Sequence, residues 1–245
     1  MGKIVAVIII TTVATFFQTS IGFGFGVFSM IFLCRIFPYG EAIALSQAFA
    51  LVNTLFLTIR YHKHIQYKTM VPMLIPSVLL GIGFSILSHS IEVGLLKGML
   101  GLVLVILSIY MLLYSGKINI KPNMKTGVAM GSLTGIGNGL FGIGGPPAVL
   151  YLLPATADKL SYLATSQAFF SINNFTNLMT RYFKGDLHFD NLQFILYGWL
   201  GLALGLLLGL LVFKALKLEW LKKYVYIFVG INGVVIIVQQ IVAYI

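Results

Sequence analysis

Neutral hydrogen-bonding side chains recur at matching places in two stretches of this sequence. The residues are Ser46, Gln47 and Asn53 in the first stretch, and Ser166, Gln167 and Asn173 in the second. Ser46 and Asn53 are separated by two helical turns, so in a helix they share one face. Uncharged amides and hydroxyls inside a membrane protein either join helices or face a substrate path.

A glycine-rich run precedes each of these stretches. The first contains Gly22, Gly24 and Gly26, and the second runs from Gly137 to Pro147. Glycine entropy and the missing N–H of proline both oppose a continuous helix. A broken helix exposes backbone N–H groups and helix N-termini, which suit an anion. The predicted substrate-binding residues are Gly22, Gly24, Gly26, Ser46, Gln47, Asn53, Asn138, Gly142, Gly144, Gly145, Ser166, Gln167 and Asn173.

Composition places these residues in a membrane. The chain has 245 residues, of which 59% are hydrophobic and 9% charged, and its mean hydropathy is +0.98. A soluble core carries about a quarter charged residues. The polar breaks leave eight hydrophobic segments and no room for a soluble domain, which predicts an all-α polytopic membrane protein in contact with the lipid bilayer.

The chain is an internal duplication. A shift of 120 residues matches six of ten positions between residues 44–53 and 164–173, and it also pairs Gly22 and Gly24 with Gly142 and Gly144. We expect residues 1–120 and 121–245 to be two copies that together form one transmembrane domain. Such repeats often place a binding site at their interface.

The orientation of the copies depends on whether each first segment crosses the membrane. If both cross, the Lys and Arg residues divide nine against seven between the two faces; if both turn back, they divide eleven against five. The positive-inside rule favours turning back, although turning back only the second segment gives twelve against four. Because the two segments are homologous, we predict a broken or re-entrant helical hairpin in each copy. The copies are then inverted, with both termini outside.

Several classes of function lack support in the sequence. The excess of 16 Lys and Arg over 6 Asp and Glu follows the short loops, so no nucleic-acid partner is expected. The glycine runs lack the Lys-Ser/Thr of a P-loop, no protease motif is present, and Cys34 is the single cysteine. We therefore expect no enzyme, no cofactor and no metal site. Arg60 and Arg181 are interpreted as residues at span ends whose side chains reach toward the surface, with guidance of a substrate as the alternative.

The two copies, the glycine-rich opening of each copy and the run Gly137-Asn138-Gly139-x-x-Gly142-Ile143-Gly144-Gly145-Pro146-Pro147 resemble the TauE/SafE family of sulfite and organosulfonate exporters. The resemblance covers essentially the whole chain. It implies secondary transport of small sulfur-containing or other organic anions across the cytoplasmic membrane, and it implies a homodimer. The sequence departs from the family pattern in Phe23 and Phe25 between the first glycines and in an early Pro146-Pro147.

The resemblance and the residues together predict a secondary transporter of a small anion such as sulfite or an organosulfonate, working by alternating access, with export as the expected direction. A passive anion channel would use the same residues and differs in having a path open to both sides at once. A membrane-embedded binding or assembly protein with no flux is the alternative from another class. Gly22 and Gly26 could also serve close helix packing alone.

Overall fold

The computed structural model describes residues 2–114, 121–188, 191–215 and 219–244. Throughout this part of the chain the regular structure is helical, with no strand. Five of the helices are long and apolar enough to cross a membrane. The prediction of an all-α polytopic membrane protein is confirmed. The predicted boundary between the copies, at residue 120, lies outside the described residues.

Over residues 2–114, the first copy contains two helices in its glycine-rich opening and three longer helices after it. The helices are α1 (Gly2–Ile21), α2 (Phe25–Ile36), α3 (Tyr39–Arg60), α4 (Tyr67–Leu87) and α5 (Val93–Tyr114). Single 3₁₀ turns connect α3 to α4 and α4 to α5.

The second copy repeats this order of elements. The helices are α6 (Met124–Phe141), α7 (Gly145–Ala155), α8 (Lys159–Phe183), α9 (Leu192–Ala215) and α10 (Glu219–Tyr244). Local signals fix where two of them begin. Asn123 and Thr126 form a reciprocal capping box at the start of α6, and the Asp158 carboxylate accepts the Leu160 and Ser161 N–H groups at the start of α8.

The first segment of each copy is a broken helix, as predicted. The break between α1 and α2 contains Gly22 and Gly24, with φ angles of 92° and 114°, and the break between α6 and α7 contains Gly142 with φ 69°. These values lie in the left-handed region that residues with a Cβ rarely adopt. Glycine at these positions therefore allows the chain to turn without strain.

Both broken segments fold back into hairpins. Phe17 of α1 stacks on Phe28 of α2 with ring centroids 4.2 Å apart, and the Lys3 ammonium lies 5.5 Å from the ring of Phe37 at the far end of α2. In the second copy, Gly127 near the start of α6 lies against Tyr151 near the end of α7. The short helix of each pair thus runs back along the long one.

The two copies interlock. α1 of the first copy packs against α9 of the second. The corresponding helices, α6 of the second copy and α4 of the first, pack against each other in the same way. α3 packs against its counterpart α8, and α5 against its counterpart α10. This set of pairs is unchanged when the copies are exchanged. Small residues allow the close approaches, since a Cβ on Gly205 would overlap α1 and one on Gly131 would overlap α4. The inverted orientation of the copies in the membrane stays a prediction.

Candidate functional site

The tips of the two hairpins contact each other. A Cβ added to Gly26 would overlap the carbonyl oxygen of Gly142, and one added to Gly145 would lie 3.0 Å from Phe23. A cavity of about 30 Å³ lies at this junction. Its lining residues come from both copies: Gln18, Phe23, Gly24, Phe25, Gly26, Ser46, Gln47, Ala50, Asn138, Gly142, Gly144, Gly145, Phe170 and Asn174.

Two helix N-termini open at this cavity. α2 begins after Gly24, and α7 begins after Gly144, and both glycines line the cavity. Neither glycine has a side chain that could cap these helices. At α2 the first N–H, that of Phe25, donates to Gln18. At α7 Gly145 supplies the one N–H of the first three helical residues, because Pro146 and Pro147 carry none. The partial positive charge of two helix dipoles is therefore directed at one small space. Within the described part of the chain the cavity lining includes no charged side chain.

Gln18 and Gln167 organise the first hairpin. The backbone N–H of Phe25 donates to Gln18 Oε1 over 3.2 Å, and Gln18 Nε2 donates to Gln167 Oε1 over 3.2 Å. Gln167 Nε2 in turn donates to the carbonyl oxygen of Gly22 over 3.0 Å. A helix of the second copy thereby holds the hairpin tip of the first copy.

Gln47 makes the reciprocal contact. Its Nε2 donates to the carbonyl oxygen of Asn138, near the tip of the second hairpin, over 3.5 Å. Gln47 is 1% exposed, and its Oε1 finds no hydrogen-bond partner among the described residues. A buried amide oxygen without a partner is uncommon in folded proteins and calls for an explanation.

The serines and asparagines predicted beside the glutamines differ in whether they line the cavity and in whether they have hydrogen-bond partners. Ser46 lines the cavity and shares a 2.6 Å hydrogen bond with Ser29 of α2. Ser166 donates to its own helix at Leu163, and Asn173 accepts a 2.6 Å hydrogen bond from Ser77 of α4. Asn53 is 3% exposed, and neither its Oδ1 nor its Nδ2 has a partner in the described structure.

The structure brings most of the predicted residues together. Eight of the thirteen line the cavity: Gly24, Gly26, Ser46, Gln47, Asn138, Gly142, Gly144 and Gly145. Gly22 and Gln167 adjoin it through the hydrogen bonds of the first hairpin. The cavity lining does not include Asn53, Ser166 or Asn173.

Sequence reasoning missed Gln18 and Asn174, which both line the cavity. A signal for Gln18 exists, since the shift of 120 residues places it on Asn138. Asn174 falls on Thr54 under the same shift, so the repeat offers no amide partner that would single it out.

The interpretation of Arg181 as a span-end residue reaching for the surface is wrong. Arg181 is 1% exposed, and its guanidinium donates to the Gly139 carbonyl over 2.6 Å and to Asp186 over 2.9 Å. Its counterpart Arg60 is exposed at the end of α3. The difference arises because Asp186, in the loop that follows α8, provides a counter-charge beside the end of α6.

The described fold does not gather a set of metal ligands. Across residues 2–114, 121–188, 191–215 and 219–244, three His, Cys, Asp or Glu side chains do not come together as a metal site would require. The lining of the cavity offers hydrogen bonding from neutral amides, hydroxyls and backbone N–H groups.

Comparison with known proteins gives the family. The sequence model of the family described as "Sulfite exporter TauE/SafE" matches residues 7–237, nearly the whole chain. No curated protein and no solved structure matches the chain. With its broken first helices, its several membrane-length helices and this match, the chain belongs to the TauE/SafE sulfite exporter family of membrane transporters.

Proposed function

We propose that this protein is a secondary transporter that exports a small sulfur oxyanion, sulfite or an organosulfonate, across the cytoplasmic membrane. The observation that carries the proposal is the cavity between the hairpin tips. Two helix N-termini and the neutral side chains of Gln18, Gln47 and Asn138 border this cavity. Helix N-termini bind oxyanions through backbone N–H groups. The family membership points to the same class of solute.

The absence of charge from the described lining suits release as well as binding. A buried lysine or arginine would add the attraction of an opposite charge to its hydrogen bonds with an oxyanion, and an arginine could bind the oxyanion bidentately. The amides of Gln18, Gln47 and Asn138 instead orient the anion without neutralising it. An anion bound in this way can leave toward the other side of the membrane once the helices move.

The size of the cavity supports a carrier in preference to a channel. A volume of about 30 Å³ holds only about two water molecules. We expect a sulfur oxyanion to bind only after the hairpins that border this space have moved apart. Because Gln47 and Gln167 each bond to the other copy's hairpin, rocking of one copy against the other would open the cavity, which is the motion that alternating access requires.

The proposal is tested by uptake into proteoliposomes. Labelled sulfite, sulfoacetate, sulfate and a simple carboxylate are compared with and without a proton gradient. Saturable flux of sulfite or sulfoacetate, with no flux of the carboxylate, is the expected result. Single-channel currents across a planar bilayer would show that the protein is a passive anion channel and would contradict the carrier. No flux of any anion, from protein shown to be folded, would leave a binding or assembly protein.

A further inference from the structure

A second polar region, outside the cavity, lies along α8. Asn173, Asn177 and Arg181 are spaced four residues apart, so they lie on one face of that helix. All three are at most 1% exposed. Asn173 accepts from Ser77 of α4, Asn177 lies against Gly81 of the same helix, and both contacts place the polar face of α8 against α4.

Polar atoms without partners accompany this face. Within the described part of the protein, Asn177 Oδ1, Ser85 Oγ and Arg181 Nε are buried and make no hydrogen bond. Buried polar atoms without partners are uncommon in folded proteins, so several along one face indicate a use in function. The line of polar groups begins at Asn173, which precedes the cavity-lining Asn174 in the sequence, and ends at Arg181.

Arg181 lies between the end of α6 and a partly exposed pair of side chains, Asp186 and His89. Its guanidinium donates to the Gly139 carbonyl over 2.6 Å, and the neighbouring Asn138 lines the cavity. On its other side it donates to Asp186 over 2.9 Å. The Asp186 Oδ2 atom lies 3.1 Å from His89 Nε2. Unlike Arg181, these two side chains are partly exposed, Asp186 by 14% and His89 by 30%.

The Asp186 carboxylate occupies the position that a small oxyanion would take at Arg181. It presents its Oδ2 to Arg181 NH1 and to His89 Nε2, and the planar guanidinium suits carboxylates and oxyanions alike. Asp186 lies in the short loop between α8 and α9, directly after Gly185 with φ +81°. The Asp186 backbone N–H donates to the Arg181 carbonyl over 3.0 Å at the end of α8. The carboxylate would therefore leave Arg181 by rotation of its side chain, with the backbone kept in place.

We propose that Arg181 is a second anion site, closed in this conformation by Asp186, through which the oxyanion enters or leaves the cavity. The identity of the anion rests on the proposed function. The transported anion displaces the Asp186 carboxylate and makes the same contacts with Arg181 and His89. When the anion dissociates, the Asp186 carboxylate binds to Arg181 again. The internal carboxylate thus prevents Arg181 from trapping the anion.

The test measures binding of sulfite, by calorimetry, to the purified full-length protein in lipid nanodiscs. Asp186→Asn removes the competing charge, so it should bind sulfite about tenfold more tightly than the wild type. Asp186→Asn/Arg181→Gln should lose that gain. Asp158→Asn makes the same chemical change at the exposed start of α8 and should match the wild type, since Asn and Asp are equally good N-caps.

Gly40→Ala provides a second variant that does not change charge. A Cβ there would overlap the Asp186 carboxylate, so the substitution pushes that group away from Arg181 and should also tighten binding. A purely structural role for Asp186 predicts a lower unfolding temperature and no gain in affinity. Folded Asp186→Asn or Gly40→Ala protein that binds sulfite no better than the wild type would overturn the second site.

The outcome is separate from that of the proposed function. Sulfite flux by the wild type without any gain in Asp186→Asn removes the Arg181 site and keeps the transporter. A gain in affinity that depends on Arg181, in a protein without flux of any anion, keeps the site and removes the transporter.

Discussion

Gly26 lies so close to Gly142 that a methyl group on the first would overlap the carbonyl oxygen of the second. The two residues belong to different copies and to different hairpins. Their contact brings the two helix breaks, and therefore two helix N-termini, to one cavity. The candidate site depends on this approach, because neither hairpin encloses the cavity alone.

Gly26→Ala should therefore disrupt the site. Overpacking against backbone typically destabilises by about 1–3 kcal/mol, and the hairpin tips would have to separate. We expect a lower unfolding temperature and loss of sulfite flux in proteoliposomes. Gly83→Ala is the matched control, since a Cβ at this position in α4 meets nothing within 4 Å. Equal behaviour of the two variants would show that the approach of the hairpins is unimportant.

Gln18→Ala tests a residue that joins the first hairpin to α8. The change leaves the Phe25 N–H and the Gln167 Oε1 without their partner, so the tip should lose its fixed geometry. We expect sulfite flux to fall by about tenfold, with a modest loss of stability of about 1 kcal/mol. Gln193→Ala, at an exposed position of α9, serves as the control. Wild-type flux in Gln18→Ala would exclude Gln18 from the site.

Asn53 and Asn173 occupy equivalent positions in the two copies and should respond oppositely to Leu. Asn53 has no partner for either amide atom among the described residues, whereas Asn173 is bonded to Ser77 and to the Phe169 carbonyl. Asn53→Leu should raise the unfolding temperature, and Asn173→Leu should lower it, each by the equivalent of about 1–3 kcal/mol. Thermal unfolding of the two purified variants decides this; a lower midpoint in both would mean that Asn53 has a partner in the native protein.

If the unpaired amide of Asn53 serves the moving protein, the more stable variant should transport less. Asn53→Leu is expected to reduce sulfite flux despite its higher unfolding temperature, which is the usual conflict between stability and activity. Unchanged flux in the stabilised protein would remove Asn53 from the predicted substrate path.

Asp158 provides a pH-dependent contribution at the start of α8. Hydrogen bonds from the Ser161 side chain, and then from its backbone, hold the pKa of this carboxyl below its ordinary value of 3.8. A lowered pKa means that the stabilisation is fully present above 3.8 and is lost as the pH falls through the lower folded-state value. The difference in unfolding temperature between wild type and Asp158→Ala should therefore be constant near neutrality and shrink below pH 3.8. A difference that grew on acidification would contradict the cap.

The helix breaks could be predicted from the sequence because glycine and proline act locally. Gly22, Gly24 and Gly142 adopt φ angles that few other residues tolerate, and the recurrence of glycine after 120 residues is a property of the sequence alone. The same repeat identified Gln47 and Gln167, and each of them donates to a backbone carbonyl of the other copy's hairpin.

Contacts that depend on tertiary packing were beyond the sequence. Arg181 and Arg60 align in the repeat, yet only Arg181 is buried, because its partners Gly139 and Asp186 come from α6 and from the loop that follows α8. In the same way Asn53 and Asn173 align, but Ser77 of α4 bonds to the latter. Alignment in the repeat thus predicts where a residue lies in the fold, but it does not predict which residues form hydrogen bonds with it.

A site between the hairpin tips is tested most directly by sulfite counterflow in proteoliposomes loaded with unlabelled sulfite, comparing wild type, Gln47→Ala/Gln167→Ala and Gln193→Ala. We expect saturable counterflow by the wild type and by the exposed-residue control. The counterflow rate of the folded double variant should be at least about tenfold lower, which corresponds to an activation barrier for transport that is about 1.4 kcal/mol higher. Wild-type counterflow in the double variant would contradict a site between the hairpin tips.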